Sequence, residues 1–345
     1  MNAPEYLTLQ VAEVVQETAD SCSFVFDVPA ALAARFHYRP GQFLTLRIPH
    51  GDDWLPRCYS LSSSPLEDEP LRVTVKRVTD GRGSNWLCDR LVPGASVQVL
   101  PPAGVFVPKS LDTDLLLFAG GSGITPVLSI LRAALKQGQG QGRIRLVYAN
   151  RDEGSVIFRD LLRELAARHP QRLQVIHWLD SVQGRPSQEQ LAAFAEGFGQ
   201  AEAFICGPGP FMDGAVAALK SAGLPNQAVH VERFVSLPGE SEQPAAVVEH
   251  AGATATRLTV ELDGERHTID CEPGEVLLAA MRREGLQAPH SCLVGACASC
   301  MCTLVEGEVE LLANEALDAD ELKGGWTLAC QAIALSSNVH LRFPD

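Results

Sequence analysis

Cys292-Leu293-Val294-Gly295-Ala296-Cys297-Ala298-Ser299-Cys300 spaces three cysteines as C-x4-C-x2-C, and Cys330 follows after 29 intervening residues. Four thiolates at this spacing suit a [2Fe–2S] centre. Three ligands on one tight loop can wrap such a cluster, so that backbone N–H groups point at sulfur. The small residues Gly295, Ala296, Ala298 and Ser299 let the main chain come close. A fourth ligand from a distant segment closes the cage. A zinc ion held by four cysteines is the alternative. Such sites usually pair two C-x2-C knuckles, and only one is present here.

The chain around this loop has 345 residues, 46% of them hydrophobic and 20% charged, which predicts two or three folded domains and excludes a disordered or fibrous chain. Lys and Arg number 28 against 42 Asp and Glu, a net charge of -14. Nucleic acid and anionic membrane are therefore excluded as main partners, because phosphate binding needs clustered positive charge. The acidity is uneven: residues 250–345 hold 15 acidic and 6 basic side chains, and six of the ten cysteines lie after residue 270. The opening MNAPEYLTLQVAEVVQE lacks the basic start and apolar core of a secretory signal. No run of roughly 18 or more apolar residues predicts a transmembrane helix. A cytoplasmic setting is expected, where clustered cysteines bind metal or do redox work more often than they form disulfides.

The first hundred residues read as short strands: Leu7–Val15, Ser23–Val28, Gln42–Ile48, Cys58–Ser62, Leu71–Val78 and Ser96–Leu100, with one helix starting near Ser84. Many short strands punctuated by Gly, Pro and Asp predict an antiparallel β-barrel or sandwich. From about Leu111, strands alternate with helices. Strands are expected at Leu115–Ala119, Arg145–Ala149, Leu173–Trp178, Ala203–Cys206 and Ala228–Phe234. Helices are expected from the glycine-rich turn to about Gln137, and over Ser155–Arg168, Pro186–Ala195 and Gly209–Ala222. This alternation predicts a doubly wound parallel sheet. The last part shows strands at Arg257–Leu262 and Glu265–Ile269, a helix over Val276–Glu284, the cysteine loop and a final strand at Val339–Phe343. The expected domains span residues 1–107, 108–236 and 253–345, with residues 237–252 as a linker.

The loop PHSCLVGACASC and the later GWTLACQA resemble a plant-type ferredoxin domain over residues 253–345. The resemblance implies an α+β β-grasp fold and the cluster ligands Cys292, Cys297, Cys300 and Cys330. Cys271 and Cys302 are not ligand positions in that pattern, and Cys302 is expected to pack as a small apolar side chain.

Arg57-Cys58-Tyr59-Ser60 on a barrel strand offers an aromatic face, a hydroxyl and a cation within one short segment. These are what a flavin needs beside its ring, near its N5 and at its phosphates. Gly81-Arg82-Gly83-Ser84-Asn85 reads as a turn into a helix N-terminus, whose free N–H groups suit a pyrophosphate. The set, with Lys76 upstream, is similar to the ferredoxin–NADP reductase superfamily and implies a bound flavin. The turn Gly83-Ser84-Asn85-Trp86 lacks the Gly-Gly-Ser of FMN-type members, so FAD is favoured.

Gly120-Gly121-Ser122-Gly123-Ile124-Thr125-Pro126 follows a buried-type strand and opens a helix. The glycines let the backbone approach a pyrophosphate, and the helix dipole favours its charge. The strict G-x-G-x-x-G pattern is absent. The resemblance to the same superfamily implies nicotinamide binding here, through Gly121, Ser122, Gly123, Thr125 and Pro126. It places Cys206, Gly207 and Pro208 at the nicotinamide ring, Glu232 near the hydride path and Phe234 over the flavin. Arg151 and Asp152 offer both signs to the ribose 2′ position, with NADH favoured over NADPH.

Taken in order, the three resemblances imply the reductase component of a multicomponent oxygenase, and the segment VKRVTDGRGSNWLCD particularly resembles the reductases of the 3-ketosteroid 9α-hydroxylase and phenylacetyl-CoA oxygenase type. Electrons from NAD(P)H would pass through FAD and the cluster to a separate terminal oxygenase, or to its ferredoxin. Ser60, Cys206 and Glu232 would form the catalytic set in a monomeric protein. A self-sufficient NAD(P)H-dependent quinone or ferric reductase is the alternative.

Overall fold

The computed structural model describes residues 6–67, 69–137, 142–234, 247–250, 252–295, 297–314, 316–317 and 319–344. The first unit contains strands β1 (Leu7–Thr18), β2 (Ser21–Asp27), β3 (Phe43–His50), β4 (Asp53–Ser60), β5 (Leu71–Lys76) and β6 (Ser96–Val99). They pair antiparallel in the order β4-β3-β6-β1-β2-β5. A bridge between Leu61 and Val73 brings the end of β4 onto β5 and closes the sheet into a barrel. Alternate residues such as Phe24, Phe26, Leu44, Leu46, Val73 and Val75 point inward and are fully buried. Each such burial contributes roughly 1.5–3 kcal/mol.

The second unit is a parallel sheet of β7 (Leu115–Gly120), β8 (Ile144–Asn150), β9 (Leu173–Leu179), β10 (Glu202–Cys206) and β11 (Val229–Glu232). Its order is β11-β10-β7-β8-β9. Along β7 the side chains alternate between two cores. Leu115 and Leu117 pack with Val127, Leu131 and Leu162 on one face, while Leu116 and Phe118 pack with Leu191, Met212 and Leu219 on the other. Helices thus cover both faces, as the doubly wound reading expects. The order reverses beside β7, so the C-terminal ends of β7 and β10 flank the crevice where such sheets bind ligands. Arg132, from the helix Ile124–Gln137, is almost fully buried and forms ion pairs with Glu67 and Glu69 of the barrel.

The third unit orders β13 (Glu265–Cys271), β12 (Thr256–Leu262), β18 (Asn338–Arg342), β14 (Met301–Glu306) and β16 (Trp326–Leu328) into one sheet, with β12 and β18 parallel. A small ladder of β15 (Val309–Leu311) and β17 (Ala332–Ala334) lies beside it. The helix Leu277–Arg283 packs its Leu277, Leu278 and Met281 into the core of that sheet, giving the β-grasp arrangement. Cys302 is fully buried in this core, as its apolar reading expects. Residues 237–246 and 251 of the expected linker lie outside the described residues. Val248 donates its N–H to the Gly274 carbonyl, so the chain joins the third unit at that point.

Several elements differ from the sequence expectations. The helix expected over residues 155–168 runs only over Arg159–Arg168, because Phe158 adopts a left-handed φ of 61° and stops the helical path. The strand expected at Cys58–Ser62 begins earlier, at Asp53. The strand expected to reach Phe234 ends at Glu232. Among the described residues, no helix is long and apolar enough to cross a membrane.

Candidate active site at the meeting of three units

On β4, Arg57, Cys58, Tyr59 and Ser60 stand opposite Leu46, Thr45, Leu44 and Phe43 of β3. Ser60 is buried, and its Oγ donates to Glu232 Oε2 at 3.2 Å. Tyr59 packs at the edge of the barrel core. Glu232 ends β11, the outermost strand of the parallel sheet. Its side chain keeps some exposure to the cavity described below but is enclosed by protein. That burial pushes its carboxyl up to about 8, against the lowering effect of the Ser60 hydrogen bond. Burial, then the charge of Glu232, pushes the Cys206 thiol up as well.

The helix Arg82–Arg90 starts at Gly81, and no side chain caps its first N–H groups. Such a terminus attracts phosphate. A Cβ on Gly83 would fall 3.0 Å from Arg57 Cγ, so the absent side chain lets the stem of Arg57 lie against the helix start. The sequence-distant Arg57 and Gly81–Asn85 thus form one cationic, donor-rich corner. Ser84 turns inward: its Oγ accepts the Val78 N–H at 3.1 Å. Asn85 donates to the Val78 carbonyl at 3.2 Å. These two residues therefore shape the turn. Lys76 reaches the glycine turn of the second unit, its Nζ 3.8 Å from where a Gly121 Cβ would stand.

That turn, Gly121–Gly123, has φ +53° at Gly121 and leads straight into the helix Ile124–Gln137. A Cβ on Gly123 would sit 2.1 Å from the Cys206 carbonyl oxygen, and one on Gly120 would sit 2.7 Å from Pro208 Cδ. The two glycine-bearing motifs pack backbone against backbone at the sheet switch point, with Gly207 between them. Thr125 Oγ1 donates to the Ser122 carbonyl at 3.0 Å, and Pro126 takes the third helical position, where its missing N–H costs nothing. Cys206 is wholly buried and does not line the cavity.

In the third unit, Leu293, Gly295 and Ala298 all have positive φ, bending the loop sharply around its cysteines. A Cβ at Gly295 would meet the Ala313 carbonyl oxygen at 2.7 Å. The N–H of Val294 donates to Cys292 Sγ, and that of Cys330 to Cys300 Sγ, each at 3.5 Å. The thiol of Cys297 lies close to that of Cys292, and the thiol of Cys330 close to those of Cys292 and Cys300. Among the described residues, no three His, Cys, Asp or Glu side chains converge on one metal ion. A two-iron cluster with two thiolates per iron does not need such convergence. Cys292, Cys297, Cys300 and Cys330, close together on the loop and its neighbouring segment, would hold such a cluster between them. Gln331 donates to the carbonyls of Leu293 and Cys330, tying the loop to the segment that carries Cys330. Gln331 stands in the GWTLACQA motif directly after Cys330, but the motif alone gives its side chain no role.

A cavity of about 470 Å³ joins these parts. Phe43, Cys58 and Ser60 come from the barrel, Glu232 and Phe234 from the second unit, and Cys297, Ala298 and Met301 from the third. Phe234 is 49% exposed just beyond β11.

Comparisons with known proteins agree with this division. Residues 8–107 match the oxidoreductase FAD-binding domain, residues 117–217 the oxidoreductase NAD-binding domain, and residues 260–335 the 2Fe-2S iron–sulfur cluster binding domain. The ferredoxin reductase component of 3-ketosteroid-9-alpha-monooxygenase from Rhodococcus rhodochrous is 51% identical, over 97% of this chain and 96% of that protein. The chain belongs to the family of oxygenase reductase components. A component of the 1,2-phenylacetyl-CoA epoxidase from Escherichia coli K12 is 36% identical over 97% of each chain. The structure of phthalate dioxygenase reductase superposes with a TM-score of 0.56 at 26% identity, covering 98% of each chain. As in this family, the chain is an oxidoreductase with FAD, NAD and [2Fe–2S] domains, and it functions as the reductase component of a multicomponent oxygenase.

Proposed function

We propose that this reductase draws electrons from NADH at a site shaped by Ser60, Glu232 and Cys206 and delivers them from the cluster held by Cys292, Cys297, Cys300 and Cys330. The observation that carries the reading is the shared cavity: Ser60 and Glu232 line the same space as Cys297. When bound, FAD supplies two-electron acceptance from a nicotinamide and release of single electrons.

The chain's own groups do the rest. Arg57 and the uncapped N–H groups after Gly81 would hold the flavin phosphates. The hydroxyl of Ser60, held by Glu232, presents a polar group to the flavin ring edge. Burial favours the protonated form of the Glu232 carboxyl, which would limit negative charge at the site of hydride transfer. Cys206 backs Glu232 from the core, while Gly207 and Pro208 border the nicotinamide. Phe234, half exposed at the cavity, would cover a flavin ring face. Gly121, Ser122, Gly123, Thr125 and Pro126, with Lys76 above the turn, cradle the dinucleotide phosphates.

NADH is favoured because Arg151, the cation a 2′-phosphate would call on, is paired with Asp20 of the barrel at 3.2 Å. One chain completes the cavity, which supports a monomer. The partner we infer is a terminal oxygenase hydroxylating a 3-ketosteroid, because the relatives so named share more identity than the phenylacetyl-CoA relative. The acidic third unit would steer it electrostatically.

Reconstitution tests this reading. NADH oxidation by the purified chain should couple to substrate hydroxylation only when a terminal oxygenase is added. Equally fast reduction of a quinone or ferric chelate with no protein partner would favour a self-sufficient reductase instead.

A further inference from the structure

Thr45 and Ser291 make a contact that neither the flavin nor the cluster motif explains. Their hydroxyl oxygens lie 2.5 Å apart across 246 residues of sequence. Thr45 is on β3, facing Cys58 of β4 in register, and its Oγ1 also contacts Cys58 Sγ at 3.4 Å. Ser291 immediately precedes the ligand Cys292. Both hydroxyls are buried, Thr45 at 1% and Ser291 at 6% exposure. A valine would fill the strand position equally well, so the buried hydroxyl has meaning only through its partners. Removing one partner leaves the other buried without its hydrogen bond. Cys58 itself lies within electrostatic reach of Cys292 and Cys297. The chain Cys58–Thr45–Ser291 therefore runs from the flavin strand into the cluster loop.

We propose that Thr45 and Ser291 latch the iron–sulfur loop to the flavin strand, setting the docked position from which the cluster takes electrons. Their role in this proposal is positioning: each acts through the strand or loop that carries it. The proposal rests on reading Arg57–Ser60 as the flavin strand.

The test uses full-length holoprotein with Thr45→Val, Ser291→Ala, the double variant and the conservative Thr45→Ser. Stopped-flow mixing with NADH follows flavin bleaching and cluster bleaching separately, and hydrogen exchange follows the backbone amides of residues 291–295. Thr45→Val and Ser291→Ala should each slow cluster bleaching and raise loop exchange by roughly tenfold, the scale of one lost buried hydrogen bond, with flavin bleaching unchanged. The double variant should be no worse than either single one, and Thr45→Ser should restore both readouts. Unchanged exchange and cluster bleaching in both single variants would overturn the latch. So would loss of FAD or of flavin bleaching in Thr45→Val, which would make Thr45 a flavin-site residue. Failure of the flavin-strand reading shows up elsewhere, as unaltered flavin reduction in Ser60→Ala.

Discussion

Ser60 Oγ donates its hydrogen bond to Glu232 Oε2 across 172 residues of sequence, joining the last residue of a barrel strand to the last residue of the outermost parallel strand. Two domains with separate cores thereby share one polar pair at the floor of the cavity. The bond lowers the proton affinity of Glu232 while burial raises it. Removing the hydroxyl therefore leaves burial unopposed. Ser60→Ala should slow flavin reduction by NADH about tenfold, the range of a single lost hydrogen bond to a reacting group, and move the alkaline limb of its pH profile upward. Stopped-flow traces across pH are the measurement. An unchanged rate would remove Ser60 from the hydride step.

Glu232 should also appear in stability. Its carboxyl ionises near 4.5 when unfolded and near 8 when folded. Between those values folding takes up a proton, so stability from this group falls as pH rises through that window and levels above it. Glu232→Gln removes the dependence. The variant should gain on the parent steadily from about pH 5 to pH 8 in thermal melts, and parallel curves would contradict the raised value.

Gly123 leaves no room for a side chain against the Cys206 carbonyl. Gly123→Ala should force the glycine turn away from β10, costing about 1–3 kcal/mol of stability through overpacking. KM for NADH should rise more than kcat falls if the displaced turn is the proposed phosphate cradle. Steady-state kinetics with a calorimetric melt would check both.

Cys300→Ser separates the two halves of the electron path. NADH oxidation with ferricyanide should persist, since that acceptor can be served at the flavin. Reduction of cytochrome c should be lost with the cluster. Equal loss of both activities would contradict the order of the relay.

The motifs were legible because each is local. C-x4-C-x2-C, Arg57–Ser60 and the glycine turn each carry their chemistry within a dozen residues or so, and their order along the chain gave the three units. What remained hidden was contact between distant segments. Nothing near Thr45 marks its hydroxyl as different from any strand threonine, and only folding brings Ser291 to it. The ends of elements were also obscured. Phe158 lies inside a helical pattern of residues, yet its left-handed backbone breaks the helix, a tertiary choice that overrides local propensity. The short strands β14 to β17 escaped notice because runs of three to six residues around a cysteine loop carry little periodicity.

The cavity takes one wall from each of three folding units, and this limits how the protein can be rebuilt. A chimaera that exchanges only the iron–sulfur unit inherits Thr45 from one parent and whatever stands at position 291 from the other. Modularity here ends at matched seams, and a functional graft has to carry both sides of the seam together.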